Sequence, residues 1–249
     1  MAIRLVISGC CGRMGRAIAS LALQDSVFAV AAALEAPGNP SLGQDYGTLL
    51  GRPTPLGVRV SDDAKAGLAQ GDVLIEFTAP DATLAHAALA KQLKKPMVIG
   101  TTGLTDAQVG QLRAAAEAIP IVCSPNMSVG VNVLYELART AVQRLGPGYD
   151  VAVVESHHRG KKDSHSGTAK RLAAVLAEAR GGTPVPVQAI RAGDIVGDHT
   201  VILAGPAERL ELTHRAHSRE VFAQGALRAA RFLAGRTPGL YDMADVLKG

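Results

Sequence analysis

The sequence contains no tryptophan, and aromatic residues make up only 3% of its 249 residues. Proteins that bind single-stranded nucleic acid stack the bases on aromatic side chains, so this shortage argues against a nucleic-acid partner. There is also no apolar run of the roughly 18–20 residues that a membrane-spanning helix needs, so we expect no membrane partner. The net charge of +4 is compatible with acidic metabolites and is too small to require nucleic acid.

Cysteine is scarce as well, since the chain has only Cys10, Cys11 and Cys123. An odd number with two adjacent members gives no disulfide framework, and the absence of a C-x-x-C spacing gives no zinc motif. The first residues, MAIRLVISG, predict a strand and not a signal peptide. We therefore expect a protein of the reducing cytoplasm.

The N-terminal stretch has the order of a dinucleotide-binding unit. Residues 4–8 predict a buried strand, a glycine-rich turn follows, and a helical pattern continues to residue 23. The spacing is G-x-x-G-x-x-G, in which Gly9 makes the tight turn, Gly12 allows approach of a pyrophosphate and Gly15 allows close helix packing. Arg13 stands where its side chain could reach a phosphate. A tight strand-to-helix turn also favours glycine without any ligand, so the turn alone decides little.

The next strand strengthens this interpretation. Phe28–Leu34 is apolar and is followed by Glu35, 20 residues after Gly15. A carboxylate at the end of the second strand binds the ribose hydroxyls of the adenosine half in dinucleotide folds. The alternative for Glu35 is an ordinary loop acid, but the two features in register predict dinucleotide binding.

Three further strands are predicted at residues 72–78, 96–100 and 120–124. Residues 37–55 predict a loop, Asp81 is expected to cap a helix, and Thr105 with Gln108 predicts a capping box at the start of another helix. Two short loops leave their carboxyl ends, one with Gly100, Thr101 and Thr102, the other with residues 124–127 (SPNM). Ligands bind at this edge of an open α/β sheet, and small residues there let a nicotinamide ring lie against the backbone. Simple turn chemistry is the alternative for either loop alone.

The second half of the chain has a different pattern. A long helix is predicted at Val129–Leu145, and three strands without intervening helices follow one another between residues 186 and 217. Consecutive strands of this kind indicate an antiparallel or mixed sheet. The sequence therefore predicts an α/β protein, with a Rossmann-type parallel-sheet domain of residues 1–127 and 218–249. An inserted α+β domain of residues 128–217, with a mixed sheet, would bind the substrate.

A basic stretch, HHRGKK at residues 157–162, ends shortly before a helix that begins around Ser166, its predicted N-cap. Helix N-terminal N–H groups with nearby Lys and Arg side chains suit a small anion, whereas most charge runs are solvated loops. Neighbouring side chains on a strand point to opposite faces, so His157 and His158 would have different roles. A metal site of His157, His158 and His165 is disfavoured because adjacent histidines rarely converge on one ion, and we predict no metal.

Together these motifs resemble the 4-hydroxy-tetrahydrodipicolinate reductase family, also called dihydrodipicolinate reductase, over residues 3–247. The resemblance is carried by GCCGRMGR, IGTTG, SPNMSVGVN, ESHHRGKKDSHSGTA, RAGDIVGDHTVIL, HRAHSREVFAQGALRAA and GLYDMADVL. It implies reduction of 4-hydroxy-tetrahydrodipicolinate to tetrahydrodipicolinate with NAD(P)H and release of water, in the diaminopimelate route to lysine. It also implies a small dicarboxylate substrate and a homotetramer built through the sheet of the inserted domain.

The resemblance assigns roles to individual residues. His157 matches the family's proposed proton donor or acceptor, and Lys161 matches its second proton donor. The substrate-binding positions are matched by His158, Gly167 and Thr168, with Ser166 beside them. The cofactor-binding positions are matched by Gly9, Cys10, Cys11, Gly12, Arg13, Met14, Glu35, Gly100, Thr101, Thr102, Ser124, Pro125, Asn126 and Met127.

Two positions depart from the family pattern. Many members have an Arg after the ribose-binding acid, where it meets the 2′-phosphate of NADPH, whereas Glu35 is followed here by Ala36 and Pro37. A bare carboxylate would repel that phosphate, which predicts a preference for NADH, although Arg13 could compensate. Ser164 and His165 stand where members commonly have Ala-Pro, and a solvent-facing His165 is expected.

Two other functions compete with this one. A homoserine or aspartate dehydrogenase would share the nucleotide-binding half but would not be expected to carry the HHRGKKDSHSGT block. An NADH-sensing regulator would use the basic stretch on DNA, but the sequence has no evident helix-turn-helix or dimer zipper.

Overall fold

The computed structural model describes residues 1–249, which divide into two compact units. Unit 1 comprises Met1–Met127 and Phe222–Gly249, and unit 2 comprises Ser128–Val221. None of the helices combines the length and the apolar character that crossing a bilayer requires.

The elements of the first half of the chain are β1 (Ile3–Ser8), α1 (Arg13–Ala22), β2 (Phe28–Leu34), α2 (Tyr46–Leu49), β3 (Val60–Ser61), α3 (Ala64–Gln70), β4 (Val73–Glu76), α4 (Pro80–Leu93), β5 (Met97–Ile99), α5 (Asp106–Ala116) and β6 (Pro120–Cys123). The elements of the second half are α6 (Val129–Leu145), β7 (Asp150–His157), α7 (Gly167–Ala179), β8 (Val187–Arg191), β9 (Gly197–Ala204), β10 (Arg209–Ala216), α8 (Glu220–Leu233), β11 (Gly239–Tyr241) and α9 (Met243–Lys248).

Unit 1 is built on a seven-stranded sheet in the order β11-β6-β5-β4-β1-β2-β3. All neighbouring strands are parallel, and the apolar strands β4 and β5 are buried throughout, as are the last four residues of β1. This is the pattern of a sheet covered by helices on both faces. The order of connection reverses between β1 and β4, which is the point where ligands bind in such sheets.

Two local predictions in unit 1 need correction. Asp81 was expected to cap a helix, but α4 begins at Pro80 after Ala79 and has no side-chain cap. Pro fits this first helical position because its missing N–H would have no partner there. The segment 37–55, predicted as loop, contains the short helix α2, capped by Asp45. The capping box of Thr105 and Gln108 at the start of α5 is confirmed.

Unit 2 contains a four-stranded sheet in the order β10-β9-β7-β8. Strand β9 is antiparallel to both β7 and β10, whereas β8 is parallel to β7, so the sheet is mixed as predicted. Residues of β7 alternate between buried and more exposed along the strand. The apolar members of the buried face join side chains of α6 and α7 in one core. The same face carries Glu155 and His157 at the end of β7, which brings both side chains toward α7.

Candidate active site

The glycine-rich turn between β1 and α1 has the close packing that its spacing predicts. Gly9 adopts a φ of +71°, and a Cβ there would lie 2.4 Å from the carbonyl oxygen of Phe77. A Cβ on Gly15 would lie 2.3 Å from the carbonyl oxygen of Gly9. Helix α1 begins after Gly12, with no side chain capping its first N–H groups. An uncapped helix N-terminus with a tight glycine turn provides the backbone donors that a pyrophosphate needs.

Glu35 is fixed against this turn. One carboxylate oxygen, Oε2, accepts the backbone N–H of Cys11 at 2.9 Å, and Oε1 accepts the N–H of Ala36 at 3.0 Å. The carboxylate therefore lies at the end of β2 beside the glycine-rich turn, as predicted from the spacing. Ala36 is exposed and carries no charge.

Cys10 and Cys11 differ in their surroundings. Cys10 is fully buried, its backbone N–H donates to Leu34 and its carbonyl oxygen accepts the hydroxyl of Tyr46 at 2.9 Å. Burial, and secondarily the neighbouring Cys11, raise the pKa of the Cys10 thiol. The two sulfur atoms lie 3.8 Å apart, and with Glu35 they form a cluster of potential metal ligands that was not predicted from the sequence.

A cavity of about 470 Å³ opens at the carboxyl edge of the unit 1 sheet. It brings together ten of the predicted cofactor-binding residues: Gly12, Arg13, Met14, Gly100, Thr101, Thr102, Ser124, Pro125, Asn126 and Met127. Three lining residues were not predicted, namely Phe77, Thr78 and Phe222. Phe77 and Thr78 could have been predicted, because they stand directly after the strand β4. Phe222 comes from the far end of the chain, and no local feature of the sequence indicates that it lines the cavity.

In unit 2, His157 is part of a buried polar cluster. Its Nδ1 lies 2.5 Å from Oε2 of Glu155, although neither atom is aligned for a hydrogen bond. Oε1 of Glu155 accepts the backbone N–H of Ser166 at 2.9 Å and the guanidinium of Arg191 at 3.0 Å. The His199 ring stands edge-on to His157, with centroids 5.3 Å apart. Glu155, His157 and His199 also form a second cluster of potential metal ligands.

Burial and the guanidinium of Arg191 determine the directions of the pKa shifts in this cluster. Burial alone would raise the pKa of Glu155, but the hydrogen bonds from Arg191 and from the Ser166 N–H outweigh it and lower that pKa. Burial lowers the pKa of His157, and the Glu155 carboxylate opposes this effect. Burial also lowers the pKa of His199 to about 3, so its imidazole is neutral at physiological pH.

Ser166 connects this cluster to the start of α7. Its hydroxyl accepts the N–H of Ala169 at 3.1 Å, which confirms the predicted N-cap, and lies 3.0 Å from Nε2 of His199. Gly167 is exposed at the helix start, and Thr168 is buried beside it.

The other predicted site residues of the basic stretch, His158 and Lys161, have surroundings that differ from those of His157. His158 is half-buried where its neighbour is buried, as expected for opposite strand faces. The ammonium of Lys161 pairs with Asp163 at 2.8 Å and is near enough to His157 to help lower its pKa. His165, expected to face solvent, is half-buried, with a buried Nδ1 that has no partner.

Three members of the unit 2 cluster were not predicted from the sequence: Glu155, Arg191 and His199. Glu155 had a signal, because it stands two residues before His157 on a strand and so shares its face. Arg191 and His199 come from β8 and β9, and nothing in their local sequence indicates their partners.

Comparisons with known proteins agree on one family. The model described as "Dihydrodipicolinate reductase, N-terminus" matches residues 3–127, and that described as "Dihydrodipicolinate reductase, C-terminus" matches residues 130–247. The chain is 46% identical to the 4-hydroxy-tetrahydrodipicolinate reductase of Aromatoleum aromaticum, covering 98% of this chain and 95% of that protein. It is 47% identical to the protein of the same name from Anaeromyxobacter dehalogenans, covering 98% and 97%.

A solved structure shares the fold. It is that of dipicolinate-bound dihydrodipicolinate reductase from Paenisporosarcina sp. TG-14, with a TM-score of 0.81 and 24% identity, covering 97% of this chain and 98% of the other.

Proposed function

The chain belongs to the dihydrodipicolinate reductase family, and from this premise we propose which of its residues carry out the family's reaction. The reaction is the reduction of 4-hydroxy-tetrahydrodipicolinate to tetrahydrodipicolinate with NAD(P)H and release of water, a step of lysine biosynthesis through diaminopimelate. The observation that carries our assignment is the buried His157, held at the Glu155 carboxylate beside the N-terminus of α7.

The nicotinamide nucleotide is assigned to the cavity of unit 1. The uncapped start of α1 and the tight turn at Gly9 suit the pyrophosphate, with Arg13 adding charge. Glu35 would accept the ribose hydroxyls. The loops 100–102 and 124–127 line the rest of the cavity and would hold the nicotinamide ring. When bound, this cofactor supplies the hydride, and the protein positions it and excludes water.

NADH is the proposed preferred nucleotide. Glu35 is held by two backbone N–H groups, so its carboxylate is fixed at the ribose position and cannot turn away readily. The following residue, Ala36, offers no cation to neutralise a 2′-phosphate. Arg16, a nearby cation, is already engaged with the carbonyl oxygens of Cys11 and Leu49.

The dicarboxylate substrate is assigned to the start of α7 in unit 2. Backbone N–H groups at Gly167 and Thr168 and the positive end of the helix dipole attract one carboxylate. Lys161 adds a full charge, because its partner Asp163 is largely exposed and can yield to a substrate anion. His158 would contribute a further contact from the opposite strand face.

His157 is the proposed proton donor, with Lys161 as the second. Negative charge that develops toward the ring nitrogen of the substrate during reduction must be neutralised by a proton. Burial lowers the pKa of free His157, which leaves it a weak base. A bound dianion near the imidazole would raise that pKa again toward the working pH. Nδ1 lies against the Glu155 carboxylate, so the other nitrogen, Nε2, is the one that would face the substrate.

The structure also supports proposals on metal and compartment. We expect no metal in the reaction, because the cofactor supplies the hydride and His157 with Lys161 supplies the proton, and because burial raises the pKa of the Cys10 thiol and so disfavours the thiolate that a metal would need. The cytoplasm is the proposed compartment, because all three cysteines are free.

The proposed assembly is a homotetramer formed through the sheet of unit 2. Helices α6 and α7 cover one face of this sheet, and alternation along β7 and β9 leaves the side chains of the other face half-buried. That face includes Val154 and Ile202, and Ile190 on β8 is 49% exposed. A sheet face without covering helices that exposes apolar side chains of this kind can be buried by a second copy of the chain in an oligomer.

A coupled assay tests the proposal. Pyruvate and aspartate semialdehyde are condensed by the upstream synthase, and nicotinamide absorbance is followed with NADH and NADPH in parallel. The expected result is a decrease in nicotinamide absorbance that depends on this protein. The His157→Gln variant should not produce this decrease. Full activity of His157→Gln would contradict the role of His157, and no turnover by folded, NADH-binding protein would contradict the substrate.

A further inference from the structure

A fully buried carboxylate lies at the carboxyl edge of the unit 1 sheet, immediately before two residues that line the cofactor cavity. Glu76 is the last residue of β4 and has no exposed surface. It pairs in register with Ser8 of β1 and Ile99 of β5, so it stands in the middle of the sheet. An ionised carboxylate in such a place is costly unless several donors surround it, so its partners indicate why it is there.

Glu76 receives donors from α4 and from the loop after β4. Nδ1 of His86 lies 2.7 Å from Oε2, within hydrogen-bond distance. The hydroxyl of Thr78 donates to Oε1. The hydroxyl of Thr83, a buried residue of α4, lies 3.4 Å from the same oxygen.

These contacts continue to the loop after β5. Thr83 and Thr101 have their hydroxyl oxygens 2.8 Å apart, and the hydroxyl of Thr101 accepts the backbone N–H of Thr78 at 3.1 Å. The carbonyl oxygen of Glu76 accepts the N–H of Gly100 at 2.9 Å. The side chain and backbone of one buried residue therefore connect the two loops that follow β4 and β5.

Both loops line the cofactor cavity through Thr78, Gly100 and Thr101, whereas Glu76 and Thr83 do not reach it. We propose that Glu76 is a positioning residue for the nicotinamide nucleotide: with Thr83 it holds Thr78 and Thr101 in the geometry that accepts the cofactor. This inference rests on the proposed function, because it takes the unit 1 cavity as the nucleotide site. It assigns a role in cofactor binding to two residues that touch neither cofactor nor substrate.

The test compares two isosteric variants. Glu76→Gln removes the charge, and Thr83→Val removes one hydroxyl outside the cavity while keeping its shape. Loss of a hydrogen bond to a charged group should raise the Kd for NADH about tenfold in Glu76→Gln, and loss of a neutral one about fivefold in Thr83→Val. Thr83→Ser, which keeps the hydroxyl, is the matched control and should bind NADH like wild type.

Measuring the KM for NADH and the KM for the dicarboxylate substrate distinguishes cofactor positioning from a general structural role. The KM for NADH should rise with its Kd, while the KM for the dicarboxylate substrate should stay within about twofold of wild type. Unchanged NADH binding in folded Glu76→Gln or Thr83→Val would overturn the inference, as would a lower kcat with both KM values unchanged. If Glu76→Gln does not fold, Thr83→Val with Thr83→Ser decides alone. Failure of the wild-type protein to bind NADH would instead refute the assignment of the cavity itself.

Discussion

The preference between NADH and NADPH depends on one carboxylate and on the residue after it. Glu35 is held at the end of β2 by the backbone N–H groups of Cys11 and Ala36. Two substitutions change its electrostatics in a controlled manner. Glu35→Gln removes the negative charge and keeps the shape, and Ala36→Arg adds a cation at an exposed position.

The magnitude follows from simple electrostatics. A 2′-phosphate bears about two negative charges at neutral pH. Beside a carboxylate about 5 Å away at a partly exposed position, it would be repelled by roughly 1.5–3 kcal/mol. Since about 1.4 kcal/mol is a factor of ten, wild type should prefer NADH by about 10- to 100-fold in kcat/KM.

The assay is steady-state reduction with each nucleotide at saturating dicarboxylate substrate. Glu35→Gln should lose most of the preference by improving NADPH use, because its remaining hydrogen-bonding atoms still contact the ribose. Ala36→Arg should improve kcat/KM for NADPH by about 10-fold or more through a charge-assisted contact, with NADH changed by less than about threefold. A wild-type enzyme that prefers NADPH, or a ratio that neither variant alters, would refute the electrostatic reasoning.

Three further predictions concern unit 2. His157→Gln should lower kcat by roughly 10²–10³ through loss of a general acid, and a near-normal kcat in protein shown to be folded by circular dichroism would exclude that role. Lys161→Ala should raise the KM for the dicarboxylate and leave the Kd for NADH unchanged, because it removes charge only from the substrate site. Burial lowers the pKa of His199 from an ordinary 6.5 to about 3, so the unfolded chain takes up a proton that the folded chain excludes. The free energy of unfolding should therefore fall by about 2 kcal/mol from this group between pH 7.5 and pH 5. Urea titrations at several pH values give the free energy of unfolding of wild type and of His199→Asn. An equal dependence of this free energy on pH in the two proteins would contradict the prediction.

Local features of the sequence predicted much of the nucleotide half. Gly9 and Gly15 stand where the turn leaves no room for a Cβ, so their positions in the sequence carry structural information. Glu35 follows directly from the end of an apolar strand, and the loop at Gly100 follows in the same way from β5. In each case the sequence pattern and the site residue that it predicts lie within one strand and the loop after it.

Other members of the two sites could not be found in this way. Phe222 lines the cavity from α8, and Arg191 and His199 reach Glu155 and Ser166 from β8 and β9. Their partners are distant in the chain, and only strand pairing and helix packing bring them together. Asp81 failed as a cap for a related reason, because Pro80 begins the helix before it.

The two buried carboxylates, Glu76 and Glu155, have different proposed roles because their hydrogen-bond partners differ. Glu76 and Glu155 are both fully buried at or near the end of a strand, and each lies within 2.7 Å of a histidine Nδ1. Around Glu76 lie two hydroxyls and one imidazole, and one of these hydroxyls, that of Thr83, also contacts the hydroxyl of Thr101, which links Glu76 to the loops. Around Glu155 the guanidinium of Arg191 supplies a permanent charge, so the carboxylate stays ionised whether or not His157 is protonated. A histidine beside such a carboxylate can release and regain a proton while its position stays fixed, which is what a proton donor in a reduction requires.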